Sequence, residues 1–278
     1  MHHGGRIDIS LVIPLLDEEG SIRELYERSV AELDRLGRAF EILCVDDGST
    51  DRTYLELERL AGLDSRLKLL RFERNFGQTA ALAAGFCFSR GAIVVAMDGD
   101  LQNDPEDIGR LVERLEAGAD VVSGWRRRRQ DAALNRRLPS LAGNWLISRA
   151  SGLALHDHGC TLKAYRRHVA RTLSSSGESH RLLAVVAARA GARVSEIEVR
   201  HHPRRAGRSK YGLERTPRVL LDLLRIWLFS GEQESPRARL ARLVLEPFPR
   251  LDRTPEYRLR EALNLPEGAE PPRPVRDI

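Results

Sequence analysis

Four apolar runs alternate with helix-forming segments over the first hundred residues, and this alternation restricts the folds open to the chain. The runs cover residues 7–14, 40–45, 67–72 and 92–97. Each has the length of a β-strand, and the segments between them carry apolar residues at helical spacing. Alternating strands and helices predict an α/β fold, with a mostly parallel sheet flanked by helices. The 278 residues suffice for one large domain of this class or two small ones.

Acidic residues follow three of the predicted strands, at the points where the apolar runs end. Glu18 follows the first strand, Asp47 the second, and Asp98 and Asp100 the fourth. Ligands of open α/β sheets bind beyond the carboxyl ends of the strands, so these carboxylates are candidate site residues. Two carboxylates at positions i and i+2, with Gln102 close behind, suit Mg²⁺ or Mn²⁺ and a phosphate-bearing substrate. The alternative is that the aspartates only cap the helix that follows.

The positive charge of the chain is concentrated in two segments. The net charge is +5, whereas residues 126–137 carry six basic groups against one acidic group, and residues 200–218 carry seven against one. The remainder of the chain is therefore net negative. Both segments are candidates for anion binding, with solvated loops as the alternative. Neither interleaves aromatic residues with its arginines in the manner of a base-stacking surface, which argues against a nucleic-acid partner.

The sequence lacks the signatures of several other kinds of site. The first strand-to-helix turn contains Pro14 and acidic residues in place of Gly-x-Gly-x-x-Gly, and no Gly-x-x-x-x-Gly-Lys-Ser/Thr loop occurs. Phosphate groups must then be bound by a metal ion and by arginine side chains. Three widely spaced cysteines argue against disulfides or a zinc site and favour a cytoplasmic location: Cys44, Cys87 and Cys160. The first residues also lack the apolar core of a signal peptide.

Six motifs occur in order between about residue 7 and residue 230. They are residues 14–19 (PLLDEE), 45–49 (VDDGS), 75–77 (NFG), 98–102 (DGDLQ), 159–166 (GCTLKAYR) and 204–212 (RRAGRSKYG). Together they resemble the motifs of family 2 glycosyltransferases, which have the Rossmann-like α/β architecture called the GT-A fold. The set is most similar to the dolichol-phosphate mannosyltransferase and bacterial polyprenyl-phosphate glycosyltransferase branch.

This resemblance implies a reaction and its participants. The implied enzyme moves a sugar from a UDP- or GDP-linked nucleotide sugar to a dolichyl or undecaprenyl phosphate. It inverts the anomeric carbon and uses Mg²⁺ or Mn²⁺ as cofactor. Two alternatives stay open: the same donor chemistry with a glycan, protein or other lipid as acceptor, and a catalytically degenerate module at a membrane surface. The sequence does not identify the sugar.

The resemblance also implies roles for individual residues. It implies that Asp98, Asp100 and Gln102 hold the metal, and that Arg126 and Lys163 hold the acceptor phosphate. It also implies a nucleoside pocket formed by Pro14, Glu18, Val45 and Asp47. The implied donor-binding residues are Pro14, Leu16, Glu18, Val45, Asp47, Asp98, Gly99, Asp100, Gln102, Arg126, Arg204 and Lys210. The implied catalytic residues are Asp98, Asp100, Arg126, Arg204 and Lys210. The family usually has an aromatic residue at the position of Leu16, and this departure leaves the nucleotide open.

The implied chemistry does not need a general base. A phosphate monoester is already ionised at neutral pH, so the site has to align it and stabilise charge on the departing nucleoside diphosphate. This agrees with a candidate set rich in Asp, Arg and Lys that contains no Ser–His or Cys–His pair. Four histidines near the motifs are interpreted as structural: His156, His158, His201 and His202.

The implied lipid acceptor requires a membrane surface, but no segment is predicted to span a bilayer. The apolar run over residues 219–229 contains Asp222 and Arg225. As a helix it covers about 17 Å, against roughly 30 Å of hydrocarbon. It suits an amphipathic helix, either at the membrane interface or packed on the core of the domain. We therefore expect a peripheral protein on the cytoplasmic face of a membrane.

The composition changes near residue 230. Residues 1–230 are predicted to form the catalytic domain, which ends in the amphipathic helix. Residues 231–278 form a Pro-rich extension, with short helices predicted over residues 237–245 and 255–263. The sequence leaves open whether the chain forms homo-oligomers.

Overall fold

Four parallel strands form the centre of the fold. The computed structural model describes residues 6–127, 144–145, 147–149, 151–175, 180–203 and 257–265. The apolar runs form β1 (Ile9–Leu15), β2 (Phe40–Asp46), β3 (Leu67–Phe72) and β4 (Ile93–Ala96). These pair in parallel in the order β3–β2–β1–β4. Every residue of β1, β2 and β4 is buried, as expected for parallel strands that are covered on both faces.

Three helices connect these strands and cover both faces of the sheet. They are α1 (Ile22–Arg35), α2 (Thr53–Leu63) and α3 (Gln78–Phe88). Leu11 and Ile13 of β1 pack in the same core as α1 and α2, whereas Val12 packs with α3. Nine consecutive residues of α3, 80–88, are buried, so this alanine-rich helix is almost enclosed. The strand–helix order predicted for the first hundred residues is confirmed.

The second half of the sheet is mixed. It begins with a 3₁₀ turn (Pro105–Asp107) and α4 (Ile108–Glu116), which precede β5 (Val121–Trp125). These are followed by β6 (Lys163–Arg166), α5 (Arg167–Ser174), α6 (Leu183–Arg189) and β7 (Val194–Glu198). β6 lies between β4 and β5 and runs antiparallel to both, whereas β7 pairs in parallel with β5. The start of β6 therefore lies beside the carboxyl ends of β4 and β5. This brings the loop before β6 to the candidate site.

The last strand corrects one prediction. β8 (Leu259–Leu263) pairs antiparallel with β3, so the helix predicted over residues 255–263 is wrong in its described part. Tyr257 and Leu259 pack on the α3 side of the sheet, and Leu263 packs on the α1 side. These apolar residues fit a strand as well as a helix, and pairing with the free edge of β3 outweighs the weak helical spacing.

The complete sheet has the order β7–β5–β6–β4–β1–β2–β3–β8, which confirms the predicted α/β class. Several predicted features lie outside the described residues: most of both basic segments, and the helices over residues 219–229 and 237–245. The domain boundary at residue 230 stays a prediction, although β8 joins the same sheet as β1. In the part of the chain that the structure describes, no helix is long and apolar enough to cross a membrane.

Candidate active site

The loops that follow β1, β2 and β4 meet at one edge of the sheet. The backbone N–H of Asp17 donates to Ser49 Oγ at 2.9 Å, and the N–H of Thr50 donates to Asp17 Oδ1 at 2.8 Å. The Ser21 hydroxyl donates to the carbonyl of Gly99 at 2.8 Å and so ties the first loop to the third. Parallel strands place their carboxyl ends at the same edge, so the acidic tips predicted from the sequence are neighbours.

Two glycines allow these loops to approach one another closely. Gly48 has a φ of +73°, and a Cβ atom there would overlap the backbone of Arg74. A Cβ atom at Gly99 would overlap the side chain of Leu15 at the end of β1. Gly48 is therefore a steric requirement of the loop packing, whereas a Cβ atom at Gly99 would require the Leu15 side chain to move.

Asp47 is buried and connects the end of β2 to the start of α3. Its Oδ1 accepts a hydrogen bond from the N–H of Phe76 at 2.7 Å, and its Oδ2 accepts one from the N–H of Gly77 at 2.9 Å. Burial raises the pKa of Asp47 to about 6, although the two N–H bonds lower it and the neighbouring Asp46 raises it further. The carboxylate is thus fixed in position, and in the absence of ligands it is mostly ionised at pH 7 and half-protonated near pH 6.

The other residues of the predicted nucleoside pocket lie at the ends of β1 and β2. Pro14 and Val45 are buried in these strands, and Leu16 and Glu18 are half-buried in the loop after β1. The N–H of Glu18 donates to Thr53 Oγ1 at 2.8 Å, which fixes this loop against the start of α2. The predicted pocket residues are therefore brought to adjacent strand ends.

Asp98 follows β4, and side chains from two other elements hydrogen-bond its carboxylate. Gln78, the first residue of α3, donates from Nε2 to Asp98 Oδ1 at 2.7 Å. The side chain of Thr161, in the loop before β6, hydrogen-bonds the same carboxylate. The start of α3 therefore contacts two acidic strand tips, since Gln78 binds Asp98 and the preceding Gly77 binds Asp47.

The turn after Asp98 is tight and locally strained. The N–H of Gln102 donates to Asp100 Oδ1 at 3.1 Å, and the N–H of Asp98 donates to Asn103 Oδ1 at 3.4 Å. Leu101 has a φ of +59°, a conformation that costs a residue with a side chain about 1–3 kcal/mol. Leu101 is buried, so its packing holds the turn in this shape. Strain of this kind is concentrated at functional sites in proteins.

The two aspartates of this turn favour a bound cation. The pKa of Asp98 is raised by burial and then by the charge of Asp100, while Arg126 and Lys163 lower it. A divalent cation relieves both the repulsion and the cost of burial, and carboxylate oxygens are the ligands that Mg²⁺ and Mn²⁺ prefer. Among the described residues no three His, Cys, Asp or Glu side chains form a metal-binding group, so the two aspartates need additional oxygen ligands.

Arg126, directly after β5, is held by Asp157. Its Nε donates to Asp157 Oδ2 at 2.7 Å and its Nη2 donates to Oδ1 at 3.0 Å, the paired geometry that arginine forms with carboxylates. Only 13% of the Arg126 side chain is exposed. The guanidinium lies close enough to Asp98 for their charges to interact. This predicted site residue therefore reaches the Asp98–Asp100 turn with its orientation set by Asp157.

Lys163, the first residue of β6, is almost completely buried. Its ammonium donates to the backbone carbonyls of His158 and Cys160, and burial lowers its pKa. Burial also lowers the pKa of His158 to about 4, and the charge of Lys163 adds to this effect. The His158 ring is therefore neutral at pH 7, and its Nε2 lies 2.9 Å from Ser148 Oγ. These contacts agree with a structural role for His158.

The second basic segment begins beside the Asp98–Asp100 turn. His201 forms an antiparallel bridge with Asn103, and the N–H of His202 donates to the carbonyl of Gln102 at 2.8 Å. Two predicted site residues of this segment lie outside the described residues: Arg204 and Lys210. Their roles in donor binding stay predictions.

Three residues that hold the site had no predicted role: Gln78, Asp157 and Thr161. Gln78 directly follows the motif at residues 75–77, and Thr161 lies within the motif at residues 159–166. Their position as polar residues in or beside a motif was the sequence signal that could have identified them as site residues. Their partners are remote in the sequence, 20 residues away for Gln78 and 31 for Asp157, so the pairs could not be read from spacing.

Comparison with known proteins identifies the family. The sequence matches the model of Glycosyl transferase family 2 over residues 10–174. This chain belongs to glycosyltransferase family 2. The matched region runs from β1 to the end of α5 and contains Asp47, Asp98, Asp100, Arg126 and Asp157. The predicted family is therefore confirmed.

Relatives of this glycosyltransferase include proteins named for polyprenyl phosphates. This chain is 42% identical over 234 residues to the dodecaprenyl-phosphate galacturonate synthase of Rhizobium johnstonii. The aligned region covers 83% of this chain and 69% of the relative. The chain is 44% identical over 217 residues to the undecaprenyl-phosphate 4-deoxy-4-formamido-L-arabinose transferase of Pseudomonas aeruginosa, with 78% and 64% covered. The chain thus spans about two thirds of the length of these relatives.

Solved structures confirm the GT-A fold. Glucosyl-3-phosphoglycerate synthase from Mycobacterium tuberculosis, solved with Mn²⁺, UDP and glucosyl-3-phosphoglycerate, superposes with a TM-score of 0.61 at 21% identity, over 79% of this chain and 80% of that one. TarS from S. aureus, in complex with UDP-GlcNAc, superposes with a TM-score of 0.55 at 18% identity, over 84% and 69%. Both neighbours share the arrangement of a mixed sheet flanked by helices.

Proposed function

We propose that this family 2 glycosyltransferase transfers a sugar from a nucleotide sugar to a polyprenyl phosphate, with inversion at the anomeric carbon. The observation that carries the proposal is the juxtaposition of Asp98 and Asp100 with the Arg126 guanidinium at one edge of the sheet. Paired carboxylates beside an anchored arginine suit two substrates, a donor that brings a metal-bound diphosphate and an acceptor that brings a second phosphate. The relatives named for dodecaprenyl and undecaprenyl phosphate support the choice of acceptor.

The donor is proposed to lie across the ends of β1, β2 and β4. Its nucleoside contacts Pro14, Leu16, Glu18, Val45 and Asp47, which lie at adjacent strand ends, and its diphosphate lies over Gly99 between the two aspartates. Arg204 and Lys210 are proposed to bind the diphosphate from the second basic segment, which starts beside the same turn. Contacts from separate loops converge on one ligand in this arrangement, as is usual for open α/β sheets.

A divalent cation fits the Asp98–Asp100 turn, with Gln102 as the proposed third protein ligand. When bound, Mg²⁺ or Mn²⁺ would neutralise charge on the departing diphosphate. The strained turn and its hydrogen bonds to Gln78 and Asn103 keep the carboxylates in place before any ligand arrives. Such preorganised charge is effective because no reorganisation is needed during the reaction.

The acceptor phosphate is proposed to be aligned by Arg126 and Lys163. The two hydrogen bonds that Arg126 donates to Asp157 fix the guanidinium, and its remaining N–H groups can donate to the phosphate. An ammonium has three N–H donors, so the two carbonyl contacts of Lys163 leave one for the same ligand. The phosphate oxygen then attacks the anomeric carbon opposite the leaving diphosphate, which inverts the configuration and requires no protein base.

An exposed aromatic surface beside the site supports contact with a membrane. Residues 144–145 and 147–149 are helical, with Ile147 buried and Trp145 68% exposed. Arg149, one helical turn from Trp145, is also exposed. Asn144 donates to the carbonyl of His156 at 2.8 Å, directly before the residue that holds Arg126. Tryptophan and arginine together are typical of surfaces that lie at the headgroups of anionic lipids. We propose that this surface rests on the cytoplasmic face of the bilayer that contains the acceptor.

The function is tested by a transfer assay with the whole chain. We expect nucleoside diphosphate release and a lipid-linked sugar when undecaprenyl phosphate, Mn²⁺ or Mg²⁺ and the correct UDP- or GDP-sugar are supplied. Chelation of the metal should abolish transfer, and the anomeric coupling constant of the product should report inversion. Asp100→Asn should lower kcat/KM by about 100-fold or more. Asp34→Asn, at a carboxylate of α1 that is 55% exposed, should leave it unchanged.

Three results would contradict the proposal. Full activity of Asp100→Asn would remove the assigned metal role. Transfer to a glycan, a protein or another lipid, with undecaprenyl phosphate inert, would favour the same donor chemistry with a different acceptor. Absence of binding to every nucleotide sugar in the presence of Mn²⁺ would favour a degenerate module.

A further inference from the structure

We infer that Glu196 is a positioning residue that sets the orientation of Arg126 by holding the backbone of His156 and Asp157. The inference rests on the proposed function, in which Arg126 binds a substrate phosphate. Glu196 lies in β7, outside the six sequence motifs and beyond the region matched by the family. Its role is derived from its contacts alone.

The carboxylate of Glu196 receives hydrogen bonds from the start of the loop that precedes β6. Its Oε1 accepts from the N–H of His156 at 3.0 Å and from the N–H of Asp157 at 3.1 Å. Its Oε2 lies 2.7 Å from Nδ1 of the His156 ring. Only 11% of the Glu196 side chain is exposed, although the His156 side chain is 66% exposed. Two consecutive backbone N–H groups and one ring nitrogen thus converge on one shielded carboxylate.

The same loop is held from a second side by β5. The ring of Trp125 stacks on the ring of His156, with centroids 4.1 Å apart and planes 17° apart. Trp125 directly precedes Arg126 in the chain, so the stack and the Asp157 pair both join the end of β5 to this loop. β7 and β5 are parallel neighbours in the sheet, which places Glu196 opposite Ser123 in the register.

These contacts form a continuous path from β7 to the site. Glu196 fixes the backbone at His156 and Asp157, the Asp157 carboxylate fixes two nitrogens of Arg126, and the guanidinium faces Asp98. Without Glu196, two backbone N–H groups lose their partner and the loop can shift. A shift of about 1 Å in a positioning group can lower an enzyme's rate by roughly 100-fold. We therefore expect the effect of Glu196 to operate through Arg126.

β7 contains a matched control residue. Glu198 lies two positions further along and therefore on the same face of the strand. Its carboxylate is 43% exposed and contacts Arg127 at 3.4 Å. Arg127 is 62% exposed and is not among the residues proposed to bind the donor or the acceptor phosphate. Glu196→Gln and Glu198→Gln are therefore the same chemical change on the same face, and differ in whether the path to Arg126 is broken.

The first experiment observes Arg126 directly and does not depend on activity. The Nε–H resonance of Arg126 is assigned by its loss in Arg126→Lys, and its hydrogen exchange is measured in ¹⁵N-labelled protein. We expect slow exchange in the wild type and in Glu198→Gln, and exchange faster by roughly tenfold or more in Glu196→Gln. Unchanged exchange in Glu196→Gln would overturn the inference, whether or not the proposed reaction is found.

The second experiment is a double-mutant cycle in the transfer assay. Glu196→Gln should lower kcat/KM by roughly 10–100-fold in the wild-type background and by less than about twofold in the Arg126→Ala background. Glu196→Asp retains the charge and should recover part of the kcat/KM that Glu196→Gln loses. If Glu196→Gln does not fold, Glu196→Asp takes its place in the cycle. Equal losses in both backgrounds would mean that Glu196 acts independently of Arg126, which contradicts the inference.

Discussion

Both oxygens of the Asp47 carboxylate lie within hydrogen-bond distance of the N–H of Gly77, at 3.2 Å for Oδ1 and 2.9 Å for Oδ2. Asp47 is buried at the end of β2, and Gly77 directly precedes α3. The contact therefore joins the predicted nucleoside pocket to the helix that also binds the carboxylate of Asp98. A disturbance at Asp47 reaches both ends of the proposed donor site through α3.

The titration of Asp47 makes a measurable contribution to stability. Burial raises its pKa to about 6 in the folded protein, above the usual value of about 3.9. The folded state therefore binds this proton more tightly than the unfolded state. The stabilisation is complete below about pH 4 and is lost as the pH rises through 6. We expect the wild type to lose about 2–3 kcal/mol of unfolding free energy relative to Asp47→Asn between pH 4 and pH 7.

Urea unfolding at several pH values, in chelator and without nucleotide, measures this difference. Asp64→Asn is the control. Burial acts to raise the pKa of Asp64, but hydrogen bonds from Arg66 and Tyr26 and the charge of Arg66 lower it overall. Neither partner titrates between pH 4 and pH 7, and the stabilising effect of Asp64 is lost only below about pH 4, so the Asp64→Asn difference should be flat over the same range. A flat difference for Asp47→Asn as well would contradict the prediction.

Gly48 should not tolerate a side chain. Its φ of +73° and the nearby backbone of Arg74 both exclude a Cβ atom, so we expect Gly48→Ala to lower the free energy of unfolding by about 2–4 kcal/mol. Gly62→Ala is the matched control, because Gly62 lies in α2 with no atom within 4 Å of the added Cβ. The free energy of unfolding of Gly62→Ala should rise by about 0.5–1 kcal/mol, because alanine has the greater helix propensity. Chemical denaturation followed by circular dichroism measures both changes, and equal effects at the two glycines would refute the steric argument.

β8 should stabilise the sheet by covering the edge of β3. The ring of Tyr257 stacks on Phe72 at 5.0 Å, and β8 pairs with β3 over four positions. We expect a chain ended after residue 256 to lose roughly 2–4 kcal/mol of unfolding free energy and to aggregate more readily, because it exposes an edge strand. A chain ended after residue 265 retains β8 and should behave like the full chain. Equal stability and equal light scattering of the two shortened chains would contradict this prediction.

Trp145 should contribute to lipid binding. Partial burial of its ring among headgroups is worth about 1 kcal/mol, so Trp145→Ala should weaken binding to vesicles of anionic phospholipid by roughly fivefold. Leu63→Ala is the control, since Leu63 in α2 is 77% exposed and the arginine one helical turn away, Arg59, is paired with Glu56 at 3.8 Å. Vesicle co-sedimentation measures both variants. An equal decrease for the two variants, or none for Trp145→Ala, would show that this surface does not bind lipid.

Much of the fold was predictable because its strands and helices have strong local patterns. β1 to β4 are apolar runs bounded by polar residues, and the helices between them have regular apolar spacing. β8 was not predictable in this way. Residues such as Leu259 and Leu263 fit either a helix or a strand, and the choice depends on the free edge of β3, which is about 190 residues earlier in the chain.

The candidate site was predictable to a similar degree. The placement of Asp98 and Asp100 follows from the strand that precedes them. The Gln78–Asp98 and Arg126–Asp157 contacts required the topology, since the antiparallel insertion of β6 brings Asp157 to the site. Glu196 carries no local signal at all, because its role consists of contacts with backbone N–H groups on another loop.

The pairing of β8 with β3 also determines when the protein can complete its sheet during translation. Phe72 in β3 pairs with Leu259 in β8. The ribosome must therefore add 187 residues after Phe72 before this partner is present. At roughly 5–20 residues per second, the nascent chain carries an unpaired β3 for about 10–40 s. Over that interval the open strand is available to other nascent chains or to chaperones. The residues that close the sheet are thus among the last that the ribosome supplies to it.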